Sequence, residues 1–507
     1  MSRAGALEQE RKLAADPDVE LPDLTGVAPG VVAVAQPVQR LDATYYDTDD
    51  LRLARSGVSV RFRTGEDVDG GRWTVKLPEG PAGPSLLRRE IDVPATSGRA
   101  LPAEVQGLVR AHIRSARLRP VRTLRTVRRR VELLDARGDP AIEVADDDVS
   151  VLDGRRVAQR FRELEVEVVG AGGASLLPAV VARLERSGAA PAPQMPKVVR
   201  ALGPRALEPP DVRAAALDPD EATMRDVVGE AIAAAYLRLV RHDAGVRLGG
   251  DPDDVHQARV AARRLRSDLR TFRDLLDTTR ATHLRDELRW IGAELGSVRD
   301  ADVLLERLRR QTALLPAADT RPATALLRRL EKERDDARRQ LLVTLDGRRY
   351  VRLLDDLAAA ATEPPVVDDA GVVARKALPA VVRGPWKHLQ QAVDALDRHP
   401  EDEALHDVRI RAKRARYAAE AAAPILGKPA ARFAKAVAGL QSVLGDLQDA
   451  VVAEAWLRRT AAGSPPAQAM VAGELVALQR EAMVVSRRDW PEAWDDVARK
   501  KLRAWLG

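Results

Sequence analysis

The chain has no cysteine. That removes disulfides, thiolate metal sites and a cysteine nucleophile, and it fits a reducing compartment. Aromatic residues make up only 3% of the sequence, too few for base-stacking surfaces to be its main business. Long hydrophobic runs are missing as well. None approaches the ~18 residues a membrane span needs, and the N-terminus lacks a basic-then-apolar signal pattern. The expectation is a soluble, cytoplasmic protein with no membrane partner. Nor is one sign of charge in large excess: 82 Lys and Arg face 76 Asp and Glu, a formal net charge of +6. The basic residues therefore act through placement.

At 507 residues the chain is too long for one hydrophobic core, and two or three domains are expected. Residues 1–203 read mainly as β-structure. Short alternating runs (Val58–Arg63, Trp73–Leu77, Leu87–Val93, Val127–Leu133, Ala141–Val144, Glu163–Val168) are separated by Gly, Pro and Asp turns, with one helix near Leu176–Ser187. Residues 204–219, with Pro204, Pro209, Pro210 and Pro219, read as a linker. From 220 to 507 the pattern becomes long amphipathic helices, broken near 314–323 and 360–370.

The helical part is duplicated. The segment from Val255 to Arg266 returns as Leu405 to Arg416, an offset of 406 − 256 = 150 between their histidines. Leu295–Ala301 returns as Leu444–Ala450, at 444 − 295 = 149. Two segments sharing nearly one offset define two copies of a helical unit, about 220–360 and 368–507, with pseudo-two-fold packing expected.

The β part has a second regularity. Side chains two apart in a strand share a face. Glu8, Glu10 and Lys12 therefore project together, as do Arg61 with Arg63, Thr74 with Lys76, and Arg88 with Glu90. Arg128, Arg130 and Glu132 follow, then Glu143 with Asp147, and finally Glu163, Glu165 and Glu167. Apolar residues such as Val60, Val75, Ile91, Val131, Leu164 and Val166 hold the opposite parity. An open sheet facing water would also alternate in this way. Exposed strands, however, usually scatter Ser, Thr and Lys, whereas Arg-x-Arg and Glu-x-Glu-x-Glu recur here. That favours closure into a barrel of about eight strands with a charged tunnel. Buried charges need pairing, water or a ligand. Mg²⁺ or Mn²⁺ suits the carboxylates, and Arg and Lys suit a phosphate chain. Together they are laid out to hydrolyse a triphosphate.

These residues resemble the CYTH domain of the triphosphate tunnel metalloenzyme superfamily. Its opening E-x-E-x-K is similar to Glu8, Glu10 and Lys12, and its next segment to Tyr45-Tyr46-Asp47-Thr48. Its R-x-R strand resembles Arg61 and Arg63. Its K, R-x-E and E-x-E-x-E elements resemble Lys76, Arg88/Glu90 and Glu163/Glu165/Glu167, and its late lysine resembles Lys197, here preceded by Pro196 where serine is common. The resemblance implies an eight-stranded antiparallel tunnel, so the fold class is α+β multidomain, with an all-α duplicated helical bundle following. It implies catalysis at Glu8, Glu10, Lys12 and Lys76. Substrate would be bound by Arg61, Arg63, Arg88, Glu90, Arg125, Arg128, Arg130 and Lys197. Mg²⁺ or Mn²⁺ would be held chiefly by Glu8, Glu10, Glu163, Glu165 and Glu167, with Glu143 and Asp147 on the acidic strand. Which arginine of 125–130 faces inward stays open, and Asp146 and Asp148 are alternatives to Asp147.

In the helical part, His256, Arg259, Arg263, Arg266 and Arg270 are spaced 3, 4, 3 and 4, one stripe of a helix bordering an apolar stripe at Val255, Ala258, Ala262, Leu265 and Leu269. Asp251 is a plausible N-cap, with Pro252 first in the helix. The second copy carries His406, Arg409, Lys413 and Arg416. One such helix would read as a solvated basic face. Two, brought together by pseudo-symmetry, make a cationic groove for a linear polyanion. Scarce aromatics and the lack of a reader motif argue against nucleic acid. Metal binding at the histidines is a weaker alternative, since no acid or second His stands at ligand spacing. The two H-x-x-R-x-x-x-[RK]-x-x-R copies resemble the CHAD family, which implies a helical domain binding inorganic polyphosphate. The leading expectation is metal-dependent hydrolysis of inorganic triphosphate or short polyphosphate, with polyphosphate captured by the helices. The alternatives are a non-catalytic, granule-associated polyphosphate binder and a phosphohydrolase or cyclase acting on an organic triphosphate.

Overall fold

The computed structural model describes the chain apart from residues 1–5, 66–69, 80–85, 96–97, 99 and 171, and apart from the side chains of residues 6–8, 86 and 368–369. It divides into two compact units, Met1–Asp211 and Val212–Gly507.

Among the described residues the first unit is built on ten strands: β1 (Ala6–Ala14), β2 (Val32–Ala35), β3 (Gln39–Asp47), β4 (Ser59–Thr64), β5 (Arg72–Pro78), β6 (Leu86–Pro94), β7 (Arg119–Leu134), β8 (Pro140–Asp153), β9 (Arg156–Val168) and β10 (Ala190–Pro191). Helices accompany them: α1 (Arg52–Arg55), α2 (Ala103–Leu108), α3 (Arg110–Ile113), α4 (Gly173–Arg186) and α5 (Lys197–Leu202). The antiparallel order β1-β6-β5-β4-β3-β7-β8-β9 returns to β1, which pairs with both β6 and β9, so eight strands close into a barrel. β2 pairs outside this path with β7, and β10 with the end of β1.

Parity settles which side is which. Leu13, Leu133, Ile142, Val144, Leu164 and Val166 pack under Leu177, Val180 and Leu184 of α4, so this parity faces out of the barrel. The alternate positions, including Glu10, Lys12, Arg128, Asp147, Glu163 and Glu165, face in. Toward one end the inward positions become apolar. Ala43, Tyr45, Leu124, Val149, Val151 and Phe161 pack there with Val198, Val199 and Ala201 of α5, which seals that end.

The second unit is helical: α6 (Met224–Leu248), α7 (Pro252–Thr271), α8 (Thr278–Thr312), α9 (Thr320–Asp346), α10 (Arg348–Thr362), α11 (Ala374–Asp394), α12 (Asp402–Leu426), α13 (Lys428–Ala461), α14 (Pro466–Ala498) and α15 (Lys500–Arg503). The duplication extends to element boundaries, since α6 and α11 begin 374 − 224 = 150 residues apart. Its pseudo-two-fold relation is written into two reciprocal bonds. Met224 N–H donates to Val372 C=O at 3.0 Å, and Ala374 N–H donates to Ala222 C=O at 2.8 Å. The α8–α9 hairpin packs on α13–α14 through Leu304, Leu308, Leu326 and Leu330 against Trp456, Leu457, Val471 and Leu475. Asp251 caps α7, accepting from Asp253 N–H at 2.8 Å, with Pro252 at the first turn.

Candidate functional site

Inside the barrel, acids and bases interlock across strands. Lys12 Nζ reaches Glu163 Oε1 at 3.1 Å, contacts Glu165, and lies 3.8 Å from Glu10. Arg88, on the strand beside β1, holds Glu10. Arg128 grips Asp147 with two bonds, of 2.7 and 2.6 Å, and reaches Glu165 at 2.8 Å. Lys197, the first residue of α5, places Nζ at 2.8 Å from Asp147, 3.0 Å from Glu163 and 2.6 Å from Glu165. Across the barrel, Lys76 meets Glu90 at 2.7 Å, and Arg61 lies 3.9 Å from Glu90 and donates to the Tyr45 hydroxyl at 3.4 Å. Arg63 is half-buried on the same face as Arg61.

None of Glu10, Lys12, Asp147 and Glu163 is more than 4% exposed, so an unpaired ion there would cost several kcal/mol. The pairing decides the protonation states. Burial alone would raise the Glu165 carboxyl, but Lys12, Lys197 and Arg128 outweigh it and hold it well below the usual range. Glu10 and Asp147 are lowered likewise against their burial, the first by Lys12 and Arg88, the second by Lys197 and Arg128. Glu90, opposed by burial but drawn down by Lys76 and Arg61, falls to about 2. Lys197 is raised by Asp147, Glu165 and Glu163 despite its burial.

The structure revises parts of the expected site. Arg125 has the outward parity, is exposed, and pairs with Asp42 at 2.8 Å, so it does not belong with the interior cations. Asp146 likewise faces out, beneath Arg162 at 2.7 Å, which leaves Asp147 as the interior acid of β8. Glu143 pairs with Arg130 at 3.3 Å, apart from the Asp147 cluster, and Glu167 is half-buried on the same face. Among the described residues no three acidic or histidine side chains are grouped to hold a metal ion. The reason is competition, because Lys12, Lys197 and Arg128 occupy the carboxylates of Asp147, Glu163 and Glu165. The donor chemistry itself, carboxylate oxygens alone, fits a hard divalent cation. The side chain of Glu8 lies outside the described residues, although its backbone pairs with Arg88.

In the helical unit, α7 and α12 pack together, and a cavity of about 480 Å³ lies beside them. Of the expected stripe, Arg259, Arg263, Arg266, Arg270 and Lys413 line it. His256, His406, Arg409 and Arg416 do not. Arg416 is engaged by Glu420 at 2.7 Å and by Gln441, while Arg409 lies against Gly445 as Arg259 lies against Gly296 in the first copy. Sequence reasoning missed Arg285, Arg289, Arg414 and Tyr417, which also line the cavity. The i,i+4 spacing of Arg285 and Arg289 was the available signal. Among the described residues no carboxylate lines the cavity. Burial first, then Arg289, Arg263, Arg285 and Arg259, lower the Arg266 pKa, and burial with Arg409, Arg263 and Arg259 pushes Lys413 down to about 7.

A closed β-barrel with a charged interior, followed by a duplicated helical unit with a basic groove, defines the class. The CYTH domain family model matches residues 6–184, and the CHAD domain model matches residues 230–458. An uncharacterized protein of Mycobacterium tuberculosis, in strains CDC 1551 / Oshkosh and ATCC 25618 / H37Rv, is 34% identical over 472 residues, covering 88% of this chain and 87% of its own. The chain belongs to this family, in which a CYTH domain is joined to a CHAD domain. Among solved structures, PptA from Streptomyces chartreusis is 25% identical with a TM-score of 0.45, covering 54% of this chain and 100% of its own. The CHAD domain of the plant Ricinus communis is 28% identical with a TM-score of 0.44, covering 58% of this chain and 95% of its own. Among the described residues no helix is long and apolar enough to cross a membrane.

Proposed function

We propose that the barrel hydrolyses inorganic triphosphate or short polyphosphate with the help of Mg²⁺ or Mn²⁺, and that the helical groove binds polyphosphate. The observation that carries the reading is the cavity between α7, α8 and α12, lined among the described residues by eight cationic side chains and no carboxylate. A cluster of like charge, half-buried apart from the exposed Arg270 and Arg289, repels itself and is relieved by a linear polyanion.

The barrel supplies the complementary chemistry. Arg61, Lys76, Arg88 and Arg128 project inward from four strands and offer guanidinium and ammonium donors to a phosphate chain. Water adds to a terminal phosphorus, its proton passes to an interior carboxylate, and the bridging P–O bond breaks, so triphosphate becomes diphosphate and orthophosphate. The guanidinium and ammonium groups stabilise charge growing on the leaving oxygen. Glu10, Asp147, Glu163 and Glu165 are the residues that would hold the divalent ion, which supplies further charge neutralisation at the phosphoryl oxygens when bound. The apolar seal at α5 favours a chain entering by one end, which suits short linear substrates. A location in the cytoplasm, with association to polyphosphate granules, accords with this reading.

Orthophosphate release from tripolyphosphate, with each metal, tests the reaction. Glu10→Gln should abolish release while the full chain still retains long polyphosphate. Equal loss of both in a folded variant would defeat the division of labour. A preference for ATP hydrolysis or cyclisation over tripolyphosphate would favour the organic-triphosphate alternative.

A further inference from the structure

A second cavity, of about 390 Å³, adjoins the basic groove and shares Ser267, Arg270 and Arg414 with it. That volume lies within the range of small-molecule sites. Its chemistry differs from the groove's. Leu275 on one side and Val381 and Pro385 on the other give it apolar walls, with guanidinium groups around the rim. A bare phosphate chain gains nothing from such walls.

Two features of α11 shape the pocket. Gly384 lines it, and a Cβ built there would meet nothing within 4 Å, so the helix surface is cut back where a ligand would sit. Pro385, inside the helix, has no N–H, so the Val381 carbonyl beside the pocket lacks its i+4 helical donor. An open acceptor, apolar walls and arginine planes are what a flat heterocycle with an amino group requires. On the rim, Arg273 is drawn to Asp274 and Arg411 to Asp407, whereas Arg270 and Arg414, facing the groove, form no ion pair among the described residues.

We infer that the helical unit binds nucleoside polyphosphates in an extended pose, with the base between α7 and α11 and the phosphates in the groove beside Arg266, Arg270 and Arg414. The inference rests on the proposed groove for its phosphate end and goes beyond it in assigning a base pocket. Stacking and apolar contact make such a ligand bind about tenfold more tightly than the same phosphate chain without a base.

The test uses the full chain. ATP and tripolyphosphate compete against fluorescent long polyphosphate, and 2-azido-ATP photolabelling maps the base. Label is expected in peptides holding Phe272–Leu275 or Val381–His388. Gly384→Leu, which fills the pocket, should erase the tenfold advantage of ATP and leave tripolyphosphate competition unchanged. Label confined to residues 6–184, or equal ATP affinity in wild type and Gly384→Leu, overturns the base pocket. Tripolyphosphate failing to compete at all would instead overturn the groove.

Discussion

Lys413 offers the sharpest test of the groove. Its ammonium faces Arg409 on its own helix and Arg263 and Arg259 on α7, with Asp449 of α13 as the opposing carboxylate. Burial first, and those cations next, push its pKa down to about 7 from the ordinary lysine value of 10.5. A phosphate chain in the groove opposes both causes: it supplies anionic oxygens and offsets the arginines, so the bound ammonium's pKa rises back toward the ordinary lysine range. Linkage then fixes the response. Below pH 7 the lysine is charged free and bound, and affinity is flat. Above pH 7 binding takes up a proton, and Kd rises toward tenfold per pH unit. Between pH 6 and pH 8 the complex should loosen about tenfold, which corresponds to about 1.4 kcal/mol. The assay is titration of the full chain into fluorescent long-chain polyphosphate at constant ionic strength, the length making end-group titration negligible. Lys413→Met keeps the apolar stem and should bind with one Kd at both pH values. A wild-type Kd unchanged from pH 6 to 8, or a Met variant that keeps the tenfold change, would refute the argument.

Four further outcomes follow from the same geometry. Lys197→Met removes a cation shared by Asp147, Glu163 and Glu165; it should destabilise the barrel by about 3–5 kcal/mol, read as a lower melting temperature of the first unit. Arg266→Glu with Arg270→Glu should weaken polyphosphate binding at least tenfold and flatten its salt dependence, seen by titration at several ionic strengths. EDTA should stop orthophosphate release from tripolyphosphate, and added Mg²⁺ or Mn²⁺ should restore it. Burial and Glu420 raise the Asp268 pKa to about 7 against the pull of Arg264, so the folded form holds a proton that the unfolded chain releases above pH 4. Stability therefore falls as pH rises from 4 to 7, and Asp268→Asn should cancel that fall in denaturant titrations.

Where alternation was strong, sequence and structure agree: Glu163–Val168 lies in β9, and its glutamates and valines point to opposite sides as their parity requires. The first half of β9, Arg156–Arg160, was illegible because it is exposed on both faces and so carries no period-two contrast. β7 was read only from Val127 for a related reason, as its inward positions toward the α5 end are apolar while Arg122 and Arg125 interrupt the pattern. The strand residues were named from spacing and Lys197 from the resemblance to the CYTH domain, yet their partners were not. That Lys197 would reach three carboxylates depends on α5 folding back into the barrel, a non-local contact with no sequence period behind it. Arg125 was misplaced by proximity to Arg128 and Arg130, although an odd separation places it on the other face. In the helices, duplication revealed α7 and α12, but Arg285 and Arg289 come from α8 and enter the groove only through tertiary packing.

The two sites differ in how their charge is balanced, and that difference supports separate roles. In the barrel, Asp147, Glu163 and Glu165 are matched by Lys12, Arg128 and Lys197, so the interior is near neutrality and stable as it stands. A ligand there must exchange partners, taking cations while a metal takes carboxylates. Exchange of this kind brings little net affinity but moves charge in response to the substrate, which is what turnover requires. In the groove, Arg266, Arg270, Arg414 and Lys413 have no ion-pair partner among the described residues, and only Arg259 and Arg289 are held, by the exposed Asp300 and Asp286, so anion binding relieves repulsion while exchanging few partners. That arrangement favours retention over turnover. Adding a carboxylate to the groove, as in Ser267→Glu, should therefore stabilise the free helical unit by neutralising its neighbours, and weaken polyphosphate binding by the same interaction. Thermal shift and titration of one variant read both effects. A gain in stability with unchanged binding would mean that the repulsion there is not what the polyanion relieves.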